Sequence, residues 1–360
     1  MLSCSVFSVI KNYNNNNNNN NRRPYNNNNN NNNRRPLIRK AGDAAIPSVL
    51  ASFHGTAPLQ EAILVNRPSL PPPVISDLSD AWSVTFGSPP CGADAARQSS
   101  WLKPVLANSK AICSASLTNE REKAVFKAAQ YNHSGDWLSA LPISSCGLRI
   151  DDDTVRIAVA LRLGLSICMP HRCKCGVDVD CFGLHAFVCK QASGKGARHS
   201  AINDIIARTL ASAGTPITKE PTGLIKGEGK RPDGLTLVPW SQGKPLAWDA
   251  TISTPLATSY LPSSAIRAGS SAEAAEQRKI DKYAYLSPAI SFQAVALDSL
   301  GGSSPSTAKI INSIGNKLAI ITADPKETAY LWQRISICLF RYNAIMVLES
   351  FNFAECDPDE

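Results

Sequence analysis

The feature that most constrains the fold is a cluster of cysteine and histidine residues near the middle of the chain. The segment CKCGVDVDCFGLHAFVC supplies five side chains that bind soft metal ions: Cys173, Cys175, Cys181, His185 and Cys189. A structural zinc site needs four such ligands in tetrahedral reach. His185 and Cys189 lie four residues apart, so one helical turn would point both side chains the same way. Separate buried cysteines with a hydrogen-bonded histidine are the alternative, but five such residues within 17 positions favour a zinc site.

The remaining cysteines and the apolar pattern bear on the cellular environment. Five of the 11 cysteines lie between Cys168 and Cys189, which favours metal ligation over a disulfide framework, and we expect Cys168 itself to be a core residue. The first residues lack the basic start and the cleavage site of a secretory signal. The apolar run near Cys338 is interrupted by Arg334 and Arg341, so no membrane span is predicted. We expect a nuclear or cytoplasmic protein that is neither secreted nor membrane-bound.

The formal net charge of +8 is concentrated in two segments. Residues 1–40 carry seven Lys or Arg and no acid, and residues 190–232 carry eight against three acids. Such basic segments favour a polyanionic partner, although a solvated basic tail has the same composition. In the second segment, the candidate phosphate-binding side chains are those of Lys195, Arg198, Lys230 and Arg231. His199, beside Arg198 at a predicted helix start, either contacts phosphate or caps the helix.

Composition and periodicity divide the chain into five regions. Residues 1–40 contain two asparagine tracts, each followed by Arg-Arg-Pro, and are predicted to be disordered. Residues 41–117 are rich in Pro, Ser and Ala and predict loops with short helices. A helical linker is predicted over 118–170 and the zinc-binding segment over 171–190. From 191 to 352 the order helix, strands, helix, strand, two helices predicts an α/β domain with a small central mixed sheet flanked by helices.

Two carboxylates in this last region form the second candidate site. Asp233 follows a Lys-Arg-Pro string, and Asp249 lies 16 residues later, at the predicted end of an apolar strand. Carboxylates at the ends of neighbouring strands can share Mg²⁺, which polarises a phosphate and activates water. Pro-Asp-Gly is also a common turn, so the string alone is weak evidence. Nucleases usually carry a lysine two residues after the second acid, where this chain has Thr251; Lys279 and Lys282 on the next predicted helix are possible substitutes.

The run from Cys173 to Tyr283 resembles the restriction-enzyme-like endonuclease domain at the C-terminus of some site-specific non-LTR retrotransposons. That family places a Cys-Cys-His-Cys zinc knuckle just before a nuclease core of the PD-(D/E)XK type. The resemblance assigns the knuckle to Cys173, Cys175, His185 and Cys189 and leaves Cys181 as a spare thiol. It also matches the family's core motifs to Arg231-Pro232-Asp233, Asp249, and the Lys-x-x-Lys-Tyr element of Lys279, Lys282 and Tyr283.

The resemblance covers roughly residues 120–350 and implies a structural zinc, a catalytic magnesium and no organic cofactor. The implied activity is metal-dependent cleavage of DNA phosphodiester bonds, with Tyr283 among the nucleic-acid-binding residues. We find no Phe/Tyr-Ala-Asp-Asp motif of a reverse transcriptase, so the resemblance is to the C-terminal part of such elements alone. The alternatives are a catalytically dead zinc-dependent nucleic-acid-binding module and a non-functional element fragment. Whether Lys279 and Lys282 can reach Asp249 discriminates between the active and the inactive form.

Overall fold

A computed structural model of the chain describes residues 97–192, 194–224 and 231–351, together with residues 83, 86–88 and 91. The chain divides into two compact units, one of which comprises residues 44–119. Within that unit, helix α1 (Gln98–Ser116) is longer than the short helices expected there; its segment contains no glycine and a single proline, Pro104. The predicted tail at 1–40 lies outside the described residues.

The second unit holds every described residue from Glu120 onward. It opens with the helices predicted for the linker: α2 (Glu120–Gln130), α3 (Asp136–Ser139) and α4 (Asp152–Leu163). Helix α4 follows Asp151, which caps its N-terminus: the Asp151 carboxylate accepts a 2.9 Å hydrogen bond from the Thr154 backbone N–H. It ends at Gly164, whose positive φ of 70° suits a glycine C-cap.

The Cys/His segment folds as a small hairpin followed by one helical turn. Its elements are β1 (His171–Arg172), β2 (Asp178–Val179) and α5 (His185–Val188), with the two strands antiparallel. Phe351 lies against this hairpin, since it forms a backbone bridge with Cys173 and its ring stacks on His171 at 3.8 Å between centroids. The segment is therefore joined to the end of the last helix.

A four-stranded sheet forms the centre of the α/β part. Its strands are β3 (Ile217–Lys219), β4 (Gly234–Thr236), β5 (Leu246–Ser253) and β6 (Ser291–Asp298), in that spatial order. The first two pairings are antiparallel, and β5 pairs with β6 in parallel. Helices α7 (Leu261–Ile266) and α8 (Ser270–Lys282) make the crossover between the parallel strands. The predicted α/β class and the mixed sheet are confirmed.

Three long helices complete the core around this sheet: α6 (Gly194–Ser212), α9 (Pro305–Thr322) and α10 (Glu327–Glu349). On α6, Ile202, Ile206 and Leu210 are buried and pack in one cluster with Trp248 and Val295 of the strands. Helix α9 begins at Pro305, because Ser304 caps it with its hydroxyl. No helix among the described residues has the length and apolar character needed to cross a membrane.

Candidate functional site

The register of β4 against β5 brings the two predicted carboxylates together. Gly234 pairs with Trp248, so extending the antiparallel pairing by one residue sets Asp233 opposite Asp249. A Cβ atom at Gly234 would lie 2.1 Å from the Trp248 ring, so only glycine allows this approach. The Pro-Asp-Gly string therefore starts a strand, and the common-turn interpretation does not describe it.

Asp233 and Asp249 form a cluster with His199. One ligand atom from each of the three residues lies within 4.8 Å of the others. The Asp249 side chain is 3% exposed and that of Asp233 is 15% exposed. Two carboxylates held this close and this deep repel each other unless cations or hydrogen-bond donors compensate. The cluster therefore has the donor atoms and the spacing to hold a metal ion.

His199 reaches the cluster from helix α6. Its Nε2 lies 3.0 Å from Asp233 Oδ2 and 3.1 Å from the Ala250 carbonyl oxygen. Both neighbours are acceptors only, so Nε2 carries a proton. The hydrogen bond to Asp233 raises the pKa of His199 above its ordinary value. Sequence reasoning offered a phosphate contact or a helix cap for His199 and missed this partner, because nothing local in the sequence links α6 to the start of β4.

Lys279 and Lys282 lie three residues apart on helix α8 and both reach Asp249. The Lys279 ammonium forms an ion pair with Asp249 Oδ1, and that of Lys282 lies 3.7 Å from Oδ2. Residues three apart share one face of a helix, which is why a single helix delivers both. The sequence analysis required lysines within reach of Asp249 for the active form. Both lysines meet this requirement.

Tyr283 requires a correction to its predicted contact with nucleic acid. The residue is only 2% exposed, so its ring cannot serve as a surface contact. Its hydroxyl is hydrogen-bonded to the Asp249 carboxylate and lies 2.6 Å from the Arg231 carbonyl oxygen, and Lys282 donates to it at 2.9 Å. Burial, together with the hydrogen bond to Asp249, raises the pKa of Tyr283 and keeps the hydroxyl protonated. We assign Tyr283 to holding Asp249 in place.

The other predicted phosphate-binding residues differ in how far their side chains are exposed and in their partners. Arg198 is 3% exposed and donates a 2.6 Å hydrogen bond to Asn343, and its burial lowers its pKa to about 10. It is therefore no part of a surface patch but lines a cleft, together with Lys195. Arg231 is exposed and forms an ion pair with Glu220 at 2.8 Å. Lys230 lies outside the described residues.

The second cluster consists of the four residues that the resemblance assigns to the zinc knuckle: Cys173, Cys175, His185 and Cys189. Their ligand atoms lie within 4.8 Å of one another, with 3.9 Å between the sulfur atoms of Cys173 and Cys189 and 3.0 Å from Cys175 Sγ to His185 Nε2. The hairpin supplies two ligands and helix α5 with its C-cap supplies two. Three thiols and an imidazole are a donor set typical of structural zinc, so this cluster could hold such a metal.

Two further cysteines near the knuckle lie outside the four-residue cluster. Cys181 offers its backbone carbonyl to the N–H groups of Ile167 and Cys168. Cys168 is 1% exposed, as expected of a core residue, and burial raises the pKa of its thiol to about 12. The geometry thus separates four candidate ligands from two other thiols. No protein-family model matches the sequence and a search of curated proteins finds no significant match, so a functional assignment rests on the geometry of the two clusters.

Proposed function

We propose that this chain is a retrotransposon-derived, nucleic-acid-binding protein whose α/β domain is a metal-dependent endonuclease that cleaves phosphodiester bonds of DNA. The observation that carries the proposal is the convergence of Asp233, Asp249 and His199 with the two α8 lysines beside them. Two converging carboxylates offer oxygen ligands to a metal ion, and the neighbouring lysines and hydrogen-bond donors hold them in place, which supports a site for a divalent cation. The proposal includes the restriction-endonuclease-like core of the resembled family.

Magnesium is the proposed metal of this cluster, held by Asp233 and Asp249. Carboxylate oxygens are the ligands that this hard cation prefers. When bound, magnesium supplies Lewis-acid polarisation of the scissile phosphate and lowers the pKa of a coordinated water. The nearly complete burial of Asp249 fits this role, because a buried carboxylate gains more from a cation than an exposed one.

The surrounding residues of the chain do the positioning and part of the charge stabilisation. Lys279 and Lys282 place positive charge where the attacked phosphate gains negative charge. Tyr283 fixes the orientation of the Asp249 carboxylate, and the protonated Nε2 of His199 does the same for Asp233. In this arrangement the two lysines come from helix α8. They take the role of the strand lysine that nucleases usually carry at the position occupied here by Thr251.

The knuckle is proposed to hold a structural zinc. Its four ligands would close the coordination shell, as in zinc sites that stabilise a fold and take no part in chemistry. Its hairpin is too short to bury a core by itself, so the metal would fix the segment against the end of helix α10.

The endonuclease proposal is tested by nicking of a supercoiled plasmid in magnesium. Asp233→Asn keeps the side-chain shape and removes the charge, and we expect it to reduce nicking by at least about 100-fold, comparable to the loss of a transition-state stabiliser. The matched control is Asp204→Asn, an aspartate on helix α6 that pairs with Arg208 and Lys219 on the surface. Equal nicking by wild type and Asp233→Asn, or none by wild type with magnesium or manganese, would refute the proposal.

A catalytically dead nucleic-acid-binding module is the second candidate. The ion pair between Lys279 and Asp249 favours it, because an ammonium on the carboxylate can supply the positive charge that a metal would otherwise provide. The two candidates differ in metal uptake. Titration calorimetry should show magnesium binding that Asp233→Asn removes if the endonuclease proposal holds, and no such binding if the site is dead.

A further inference from the structure

A cleft of about 490 Å³ opens beside the carboxylate cluster. It is lined by His199, a member of the cluster, and by Lys279, which forms an ion pair with Asp249, so the two sites are continuous. The other cationic side chains along its walls are Lys195, Arg198 and Arg278. The lining residues include no aspartate or glutamate. The cleft is therefore a concentration of positive charge next to a proposed reaction centre.

Arg198 is the buried member of this group. Its guanidinium donates to Asn343 through one nitrogen, whereas its Nε has no hydrogen-bond partner among the described residues. A buried donor without an acceptor destabilises a fold by about 1–3 kcal/mol, and by more when the group is charged. Arg198 lines the cleft, so an anion there would place negative charge beside this buried and incompletely hydrogen-bonded guanidinium.

Lys195 and Arg278 add positive charge to the cleft. Neither forms an ion pair with another residue in the described part of the chain. Lys195 lies one helical turn before Arg198 on α6, and its pKa is lowered by burial and then by the charge of Arg198. Arg278 comes from helix α8, with its guanidinium 5.5 Å from the centre of the Tyr260 ring. Cations brought together in this way repel one another unless an anion lies between them.

We infer that this cleft binds a backbone phosphate of the nucleic-acid strand, adjacent to the phosphate held at the carboxylate cluster. The inference rests on the proposed function, since it takes the anion to be part of a polynucleotide. A phosphate has several strong acceptor oxygens, which suits the separate donors of Arg198, Lys195 and Arg278. Because His199 and Lys279 belong to both sites, a strand that enters the cleft is led directly to Asp249.

The test is equilibrium binding of a fluorescein-labelled DNA duplex to the full chain, measured by anisotropy without divalent metal over a range of salt concentrations. The double variant Lys195→Ala/Arg278→Ala should bind at least about tenfold more weakly, and its salt slope should fall by about 1–2 counterions. The control, Arg208→Ala/Lys309→Ala, removes the same charge from exposed positions on α6 and α9. Equal losses in both double variants would overturn the inference.

Arg198→Lys tests the buried donor while keeping its charge, with the melting temperature as a check on folding. Weaker binding than wild type at an unchanged melting temperature is expected, and unchanged binding would contradict the role of Nε. The binding assay needs no cleavage, so the two proposals can fail separately. A protein that nicks DNA but is indifferent to Lys195→Ala/Arg278→Ala would overturn the cleft alone. A protein that binds through the cleft but never nicks would overturn the endonuclease alone.

Discussion

Trp248 is the residue on which the geometry of the carboxylate site depends. It is 1% exposed, and its indole N–H donates a 2.7 Å hydrogen bond to Asn203 on helix α6. Its ring lies directly over the backbone of Gly234, the residue after Asp233. One buried side chain thus ties α6 to β4 and β5 at the point where His199, Asp233 and Asp249 meet.

Replacement of Gly234 by alanine should disturb this contact. The new methyl group would overlap the Trp248 ring, and overpacking of this kind typically destabilises a core by about 1–3 kcal/mol. Urea denaturation measures the change. Gly196→Ala is the matched control, because a Cβ at that helical position meets nothing within 4 Å and should stabilise the fold by up to about 1 kcal/mol. Equal stabilities of the two variants would show that the strands can shift.

The knuckle is the element whose fold depends most on side-chain chemistry. Its strands contain two residues each and its helix four, which is too little to bury an independent core. The ligands nevertheless converge, because the turn at Gly176 (φ of 85°) brings Cys173 and Cys175 toward the turn that carries His185. A hairpin and one helical turn would be enough to form a stable segment if a metal ion joined their side chains.

The knuckle should bind one zinc ion per chain through four of its five candidate ligands. Cys175→Ser should lose the metal, because three remaining ligands leave the tetrahedron open. Cys181→Ser removes a thiol of the same segment that lies outside the cluster and should keep full occupancy. Elemental analysis of the purified variants gives the stoichiometry, and loss of zinc from Cys181→Ser with retention in Cys175→Ser would reverse the ligand assignment.

At the scale of the whole second unit, the knuckle shares its core with distant elements. One apolar cluster contains Cys173 and Cys189 together with Ile157 of α4, Val347 of α10 and Phe351. Phe351 is 1% exposed against the hairpin. Loss of the knuckle would therefore expose apolar surface on several helices, and its stability cannot be separated from that of the unit.

Removal of zinc should lower the unfolding midpoint of the entire unit. The binding free energy of a structural metal adds to folding stability, so a chelator should shift the main thermal transition followed by circular dichroism to lower temperature. Cys175→Ser is the control, because a protein that binds no zinc should not respond to the chelator. A wild-type midpoint that stays constant while zinc is lost would show that the knuckle unfolds independently.

The sequence by itself determined the five candidate metal ligands of the Cys/His segment and the two acidic positions. These features depend on residue type and on neighbours within a few positions, which periodicity and spacing report directly. The helix and strand order from residue 191 onward followed from the same local rules. The coarse α/β class could therefore be predicted without any tertiary information.

Only the tertiary structure decided which of these groups meet. The hydrogen bond from Tyr283 to Asp249 joins residues 34 positions apart, and that from Arg198 to Asn343 spans 145. Contacts over such separations depend on strand register and on how helices pack across the sheet, and local periodicity carries no information about either. For this reason the sequence named Tyr283 and Arg198 as nucleic-acid contacts without showing that both are buried, and it missed the bond from His199 to Asp233. Packing buries Tyr283 and Arg198, and it directs the His199 side chain toward Asp233 at the start of β4.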